Sequence, residues 1–449
     1  MTAELTIRGG SLVTPEGVVT ADLTAADGVI SALGQVEARD QLVDATGLLV
    51  LPGMVDTHVH LMDPGPTDRE DFPTGTKAAA VRGVTTVVEH THARPVRTAS
   101  DLAAKREHLA GRSNVDYGLA AHVWPEDIGG IPELWRAGVV FFKLFTCTTH
   151  GVPGLSASEL LAALTALAKV DGRALVHCED ETMTSMAEWS LRSAGRRDPG
   201  LLVEWRSRRA ELSALTMVGA LAAATGAAIT FAHVSHVEAV EAVQRARSWG
   251  ADAAAEACPQ YLALDESEVL DLGPLRKFTP PARCRNDDER DQMWRALRNG
   301  SLTHVATDHA PSTIEQKLAG DIWEAPFGLP GLDTTYPLMV DAALRGVLTL
   351  EEVAVRCAAI PAERYGLAPA KGAIRVGADA DLVLVDPNST WTVERADILS
   401  KAGWSPFEGR TLRGRPVATY LHGEEIARDG RCHELRSGRY LPGMGTEKS

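Results

Sequence analysis

Eight short apolar runs recur through the middle of the chain, most of them followed by an amphipathic stretch. The runs are LVLPGMVDTHVH, GVTTVVEH, DYGLAAHV, GVVFFKLF, RALVHCED, AAITFAHVSH, ADAAAEACP and LTHVATDHAP. Between them lie stretches such as ASELLAALTALAKVDG and HVEAVEAVQRARSWGA, with apolar residues at helical spacing and a closing glycine. A strand that is apolar along its whole length is buried on both faces, and such strands alternating with helices form a parallel sheet. Eight units predict an α/β fold, a (β/α)8 TIM barrel with insertions. A doubly wound sheet is the rival, but no GxGxxG follows the first strand of the repeat.

The two ends have a different rhythm. LTIRGGSLVT, GVVTADLTAADGVISALG and LVDATGLLVLPG near the start are short β-branched runs separated by Gly, Asp and Pro turns, and GADADLVLVDPNSTWTV and RPVATYLHGEEIARDG near the finish repeat the pattern. They predict one small sheet domain, a β-sandwich, made from residues 1–52 and 370–449, with the barrel over 53–369. The starting segment is expected to form an antiparallel sheet, and the segment after Phe407, ending PGMGTEKS, a partly ordered tail.

Composition excludes some partners. A formal net charge of −15 argues against nucleic-acid binding, which needs a basic footprint on phosphate. No 18-residue apolar run occurs, and MTAELTIRGGSLVTPEG lacks the basic and apolar regions of a signal peptide. A cytoplasmic chain with no membrane partner is expected. The six cysteines (Cys147, Cys178, Cys258, Cys284, Cys357, Cys432) include no CxxC pair and read as small buried hydrophobes.

Chemistry in such a barrel sits at the C-terminal ends of the strands. Those ends carry, in order, Asp56, His58 and His60; Glu89, His90 and His92; His122; Lys143 inside strand four; His177; His233; Glu256; and Asp308 with His309. One histidine at a strand end is usually just a hydrogen-bonded residue. Imidazoles and carboxylates on successive strands describe a ring facing one point. Alternate residues of a strand point the same way, so His58 and His60 can face one ion, and this ligand chemistry suits zinc and neighbouring metals. HxH alone is a weak signal; with His177, His233 and Asp308 it is a strong one. Lys143 stands in an otherwise apolar strand, where an uncompensated ammonium is costly. Either a carboxylate pairs with it, or burial and neighbouring cations leave the amine neutral enough to take up CO2. The carbamate so formed has two oxygens, one for each of two metal ions.

Together these residues resemble the cyclic amidohydrolases, the group of dihydroorotase, allantoinase, hydantoinase and dihydropyrimidinase. The resemblance spans nearly the whole chain through LPGMVDTHVH, GVTTVVE, FFKLF, LVHCED, HVSH, PQYL, TDHAP, GLPGLDT and GADADLVLVD. It implies a distorted (β/α)8 barrel with a sheet domain from both termini, and two divalent ions, usually zinc, bridged by N6-carboxylated Lys143. It further implies that His58, His60 and Asp308 hold one ion and His177 and His233 the other. Asp308 is then also the proton shuttle to the leaving ring nitrogen. Relatives are commonly homotetramers, so a homo-oligomer is expected.

The substrate is a small cyclic amide, and two positions bear on which one. Dihydroorotases place an arginine where this chain has Met62, and a thioether cannot replace a guanidinium clamp on a carboxylate. D-hydantoinases and dihydropyrimidinases carry a tyrosine where Thr148 stands. The stretch from HLMDPG through the Lys143 strand looks most like allantoinase, while HCEDET, CPQYL and WSPFEG also resemble L-hydantoinase-like members. Allantoin is therefore the expected substrate, with a hydantoin or another cyclic imide or ureide as the alternative. Relatives also lack the EHTHARP pattern, so His90 and His92, together with His150, are candidate substrate contacts, and Thr279 matches a ring-binding position. A mononuclear nucleobase deaminase on the same barrel is the reading from another class; Lys143 argues against it, and the six intact ligand positions argue against a non-catalytic relative.

Overall fold

The computed structural model describes residues 4–37 and 41–446. Each apolar run becomes a barrel strand: Met54–Val59, Val84–Glu89, Asp116–Leu119 continued by Ala121–His122, Phe142–Phe145, Arg173–His177, Ala228–Phe231, Ala253–Ala257 and His304–Val305. Neighbours pair in parallel from first to eighth. The ring closes through a parallel bridge between Val59 and His309, where the His60 N–H donates to the His309 carbonyl at 2.8 Å. The barrel is distorted: the third strand breaks at Ala120, and the eighth is only two residues long. Val55, Val88, Ala120, Phe141, Leu175 and Ala232, from successive strands or their edges, join Tyr365 in one buried cluster.

The helices form where local chemistry asks for them. In Ala157–Lys169 the buried residues are Leu160, Ala163, Leu164 and Leu167, and Ser156 with Glu159 closes a capping box. That box satisfies N–H groups that a helix start leaves unpaired. Phe72–Arg82 is capped by Asp71 and ended by Gly83 at φ 86°, a left-handed conformation that glycine adopts without steric cost. Two extra helices, Glu181–Ser193 and Leu201–Trp205, follow the fifth strand. No helix among the described residues is long and apolar enough to cross a membrane.

Both ends of the chain build one nine-stranded sheet. Leu49–Pro52 joins its halves by pairing antiparallel with Leu382–Thr392. The expectation of a purely antiparallel start is corrected: Leu5–Thr14 pairs antiparallel with Gly17–Ala26 but parallel with Gln41–Asp44 and Leu49–Pro52. The strands enclose a second core that includes Leu5, Ile7, Leu23, Leu382 and Tyr420. The tail expected after Phe407 is corrected in part: RPVATYLHGEEIARDG lies in strands, as its pattern predicts, and the stretch beyond it is held in place. Thr411–Leu421 and Glu424–Arg428 are strands of the sheet, and the chain then runs along the third barrel strand. There the Tyr117 N–H donates to the Arg439 carbonyl at 2.9 Å and the Leu441 N–H to the Tyr117 carbonyl at 2.8 Å. Backbone groups that are paired in this way hold an extended segment in place. The last three residues of PGMGTEKS, 447–449, lie outside the described residues. All six cysteines are free; five are buried and Cys432 is half-buried.

Candidate metal centre

Six predicted residues, His58, His60, Lys143, His177, His233 and Asp308, line one cavity of about 310 Å³ at the C-terminal ends of the strands. The first strand delivers the HxH pair. His58 donates through Nδ1 to Glu256 at 2.8 Å, and His60 through Nδ1 to the His90 carbonyl at 3.2 Å. Partners on Nδ1 fix the tautomer and leave both Nε2 lone pairs free for the cavity, an arrangement that orients metal ligands. Asp308 Oδ1 lies 3.2 Å from His58 Nε2 and 3.6 Å from His60 Nε2.

Lys143 Nζ is 3.3 Å from His58 Nε2, and its side chain is buried. Burial pushes the amine down to about 8, although Glu256 and Asp308 pull the other way. Among the described residues no carboxylate pairs with it directly. Across the cavity, His177 Nδ1 and His233 Nε2 approach to 2.9 Å, and His233 Nδ1 has no hydrogen-bond partner. Burial holds His60 down at about 4 and His177 and His233 below the usual histidine range, so these imidazoles are neutral and carry lone pairs. Burial acts to raise Asp308, but His58 and His60 outweigh it and hold the carboxyl at about 2. The donor set is thus imidazole nitrogen and carboxylate oxygen beside an amine lowered towards neutrality, with orphaned nitrogen among them, and it fits divalent metal ions.

Backbone strain collects here. Met62, His150, His233 and Asp308 are non-glycine residues with φ between 37° and 56°, and all four line the cavity. Side chains seldom adopt this region unless the surroundings enforce it.

The other predicted residues divide. Met62, His92 and Thr279 line the cavity, and the Thr279 hydroxyl donates to Glu179 at 2.6 Å. His90 is not among the lining residues; its ring packs against the HxH pair, 4.5 Å from the His60 centroid. Thr148 is likewise not among the lining residues. It is exposed, its N–H donates to Glu181, and its hydroxyl accepts from the Gly154 N–H at 3.3 Å. Asp56 and Glu89 serve the scaffold instead, Asp56 accepting from Thr307 at 2.7 Å and Glu89 binding Lys105.

Several residues lining the cavity or touching its lining were not singled out from the sequence. Glu179, two positions after His177, sits 2.8 Å from His177 Nε2 and 3.2 Å from Arg206. Its spacing on the strand is a signal that could have found it. Trp205, Trp323 and Phe327 form an aromatic wall, with Trp205 4.9 Å from Trp323 and 5.4 Å from Phe327 between ring centroids. Arg69 and Lys277 add cations to the lining. Arg69 donates to the Pro311 carbonyl at 3.1 Å. These come from segments far apart in the sequence, where no local period reveals them.

Residues 49–426 match the Amidohydrolase family. The chain is 34% identical over 448 residues to an allantoinase from Rubrobacter xylanophilus, covering 98% of this chain and 97% of that protein. It is 31% identical over 440 residues to an L-hydantoinase from Paenarthrobacter aurescens, with 95% of each covered. Among solved structures, an L-hydantoinase from Arthrobacter aurescens superposes with a TM-score of 0.93 at 30% identity, covering 98% of this chain and all of that one.

Proposed function

The chain belongs to the amidohydrolase family, and we propose that it opens the ring of allantoin by hydrolysing a cyclic amide C–N bond. The observation that carries a hydrolytic reading is the convergence of His58, His60, Lys143, His177, His233 and Asp308 on one cavity. His58, His60 and Asp308 would hold one zinc ion and His177 and His233 a second, with Lys143, once N6-carboxylated, offering oxygens to both. When bound, such ions lower the pKa of water and polarise the scissile carbonyl. Lys143 supplies the bridge because burial lowers its amine towards neutrality, and the neutral amine is the form that attacks CO2. Asp308, held ionised by its histidines, accepts the proton of the attacking water and returns it to the leaving ring nitrogen. The cationic lining from Arg69 and Lys277, with Thr279 beside Glu179, orients the polar edge of a ureide. The chain is proposed to act as a homotetramer.

Met62 excludes the guanidinium clamp that a ring carboxylate needs, which separates this cavity from one built for dihydroorotate. A second reading, a hydantoin with an apolar 5-substituent, is favoured by the wall of Trp205, Trp323 and Phe327. Zinc-loaded protein offered allantoin, hydantoin, 5-substituted hydantoins, dihydrouracil, dihydroorotate and cyclic imides tests the choice. Allantoin as the best substrate by kcat/KM is expected. Hydantoin turnover without allantoin turnover favours the second reading, and dihydroorotate as the best substrate overturns both.

A further inference from the structure

His90 follows the second barrel strand, and its ring packs against the HxH pair. Its centroid is 4.7 Å from that of His58 and 4.5 Å from that of His60. On the other side it meets the Phe141 ring edge to face at 5.4 Å. All three histidines are buried, and one ligand atom from each lies within 4.8 Å of the other two.

The three rings differ in how their nitrogens are used. In His58 and His60 one nitrogen is committed to Glu256 or to the His90 carbonyl, and the other is left for the cavity. In His90 neither ring nitrogen has a hydrogen-bond partner. A buried imidazole carries one N–H donor and one lone pair, and leaving both without a partner is costly. Packing against Phe141 gives no reason for that cost, since an apolar side chain of similar volume would fill the same space without it.

We propose that His90 is a further ligand of the divalent ion held by His58 and His60. This rests on the binuclear reading above and sharpens it. Three imidazoles beside Asp308 make that position rich in nitrogen, which favours zinc or cobalt over the oxygen-preferring magnesium and calcium. The ion at His177 and His233 has one imidazole fewer and is the more easily removed of the two.

The test uses the full chain stripped by a chelator and reloaded with cobalt(II) alone, read by visible d–d absorption and by competition with a coloured chelator. Outer partners of metal ligands are worth about 10- to 100-fold in affinity, so losing a direct ligand costs about tenfold or more. In His90→Met one cobalt site is expected to weaken by that factor with altered absorption bands, while the other keeps its affinity. Wild-type affinity and an unchanged spectrum at both sites in His90→Met overturn the proposal. If that variant does not fold, His90→Gln, which keeps a polar side chain but binds cobalt poorly, is read by the same two outcomes. A wild-type chain that takes up no cobalt overturns the binuclear reading, and this proposal with it.

Discussion

Two clusters of buried histidine and carboxylate lie at opposite ends of the barrel strands, and they are built in opposite ways. At the N-terminal end, Asp116 of the third strand meets Lys371, whose Nζ is also 2.8 Å from Asp379 and 2.8 Å from Asp381, with His422 beside them. Asp116, Asp379 and His422 are spaced as metal ligands are, but a protein cation already fills their centre. At the C-terminal end, His58, His60, His177 and His233 surround a cavity, and nitrogens of His90 and His233 have no partner. The same residue types are structural where the chain supplies the counter-ion and chemical where it leaves the centre to a ligand. The first cluster binds the terminal sheet to the barrel; the second is where a reaction can occur.

The sharpest way to break this comparison is to remove the lysine from each cluster. Lys143→Met should reduce turnover to background and lower the metal content below two ions per chain. The fold should persist, because Met suits the apolar strand Phe142–Phe145. Asp308→Asn should weaken the ion shared with His58 and His60 and, at saturating zinc, still lose about 10²- to 10⁴-fold in kcat, the usual worth of a positioned acid–base group. An undiminished rate in Asp308→Asn removes that residue from the proton path. Lys371→Met should do the reverse. It leaves Asp116 and Asp381 buried without their cation, a loss of about 3–5 kcal/mol, seen as a lowered Tm. Metal content and kcat of the folded fraction should not change. A catalytic defect in folded Lys371→Met would show that the two ends are not independent.

Most of the barrel was legible in the sequence because burial on both faces writes itself as an unbroken apolar run. That six of these residues meet at one cavity was legible for a related reason: a charged or imidazole residue ending such a run is conspicuous, as with Lys143 in FFKLF. What escaped notice was set by contacts distant in sequence. The parallel pairing of Leu5–Thr14 depends on where Leu49–Pro52 returns, and the aromatic wall joins Trp205 to Trp323 across two segments. Thr148 failed as a cavity residue because its neighbour Glu181 and Gly154 hold it at the surface. The stretch after RPVATYLHGEEIARDG carries no strand pattern, yet its backbone is paired to the third barrel strand.

Asp63 sharpens the comparison, since it lies on the chemical face yet behaves like the ion cluster. Burial acts to raise its pKa, but Arg112, His108 and the Phe72 N–H outweigh it and hold the carboxyl below the ordinary range. A folded-state pKa lower than the unfolded value of about 3.9 adds stability that is fully present above that pH. The contribution is lost as pH falls through the folded value. Thermal midpoints measured from pH 6 to pH 2.5 should therefore fall more steeply in the wild type than in Asp63→Asn. Parallel curves would mean that Asp63 contributes no pH-linked stability.

The smallest effect expected is at His92, on the border between the two kinds of role. Its Nδ1 is 3.0 Å from His122 Nε2, and its ring stacks on His150 at 4.8 Å with an interplanar angle of 15°. Its ring lies between the metal cavity and a neighbouring groove that includes Arg97, Trp124 and Asp127. A residue in that position touches the part of a substrate that projects away from the reacting amide, so its contact is made equally in the ground state and the transition state. Losing such a contact raises KM and leaves kcat alone. His92→Ala should therefore raise KM by about threefold to tenfold, the worth of roughly one hydrogen bond, with kcat within about twofold of wild type. A fall in kcat at constant KM would instead place His92 with Asp308 among the groups that act on the reacting atoms, and unchanged kinetics would return it to the scaffold with Asp63.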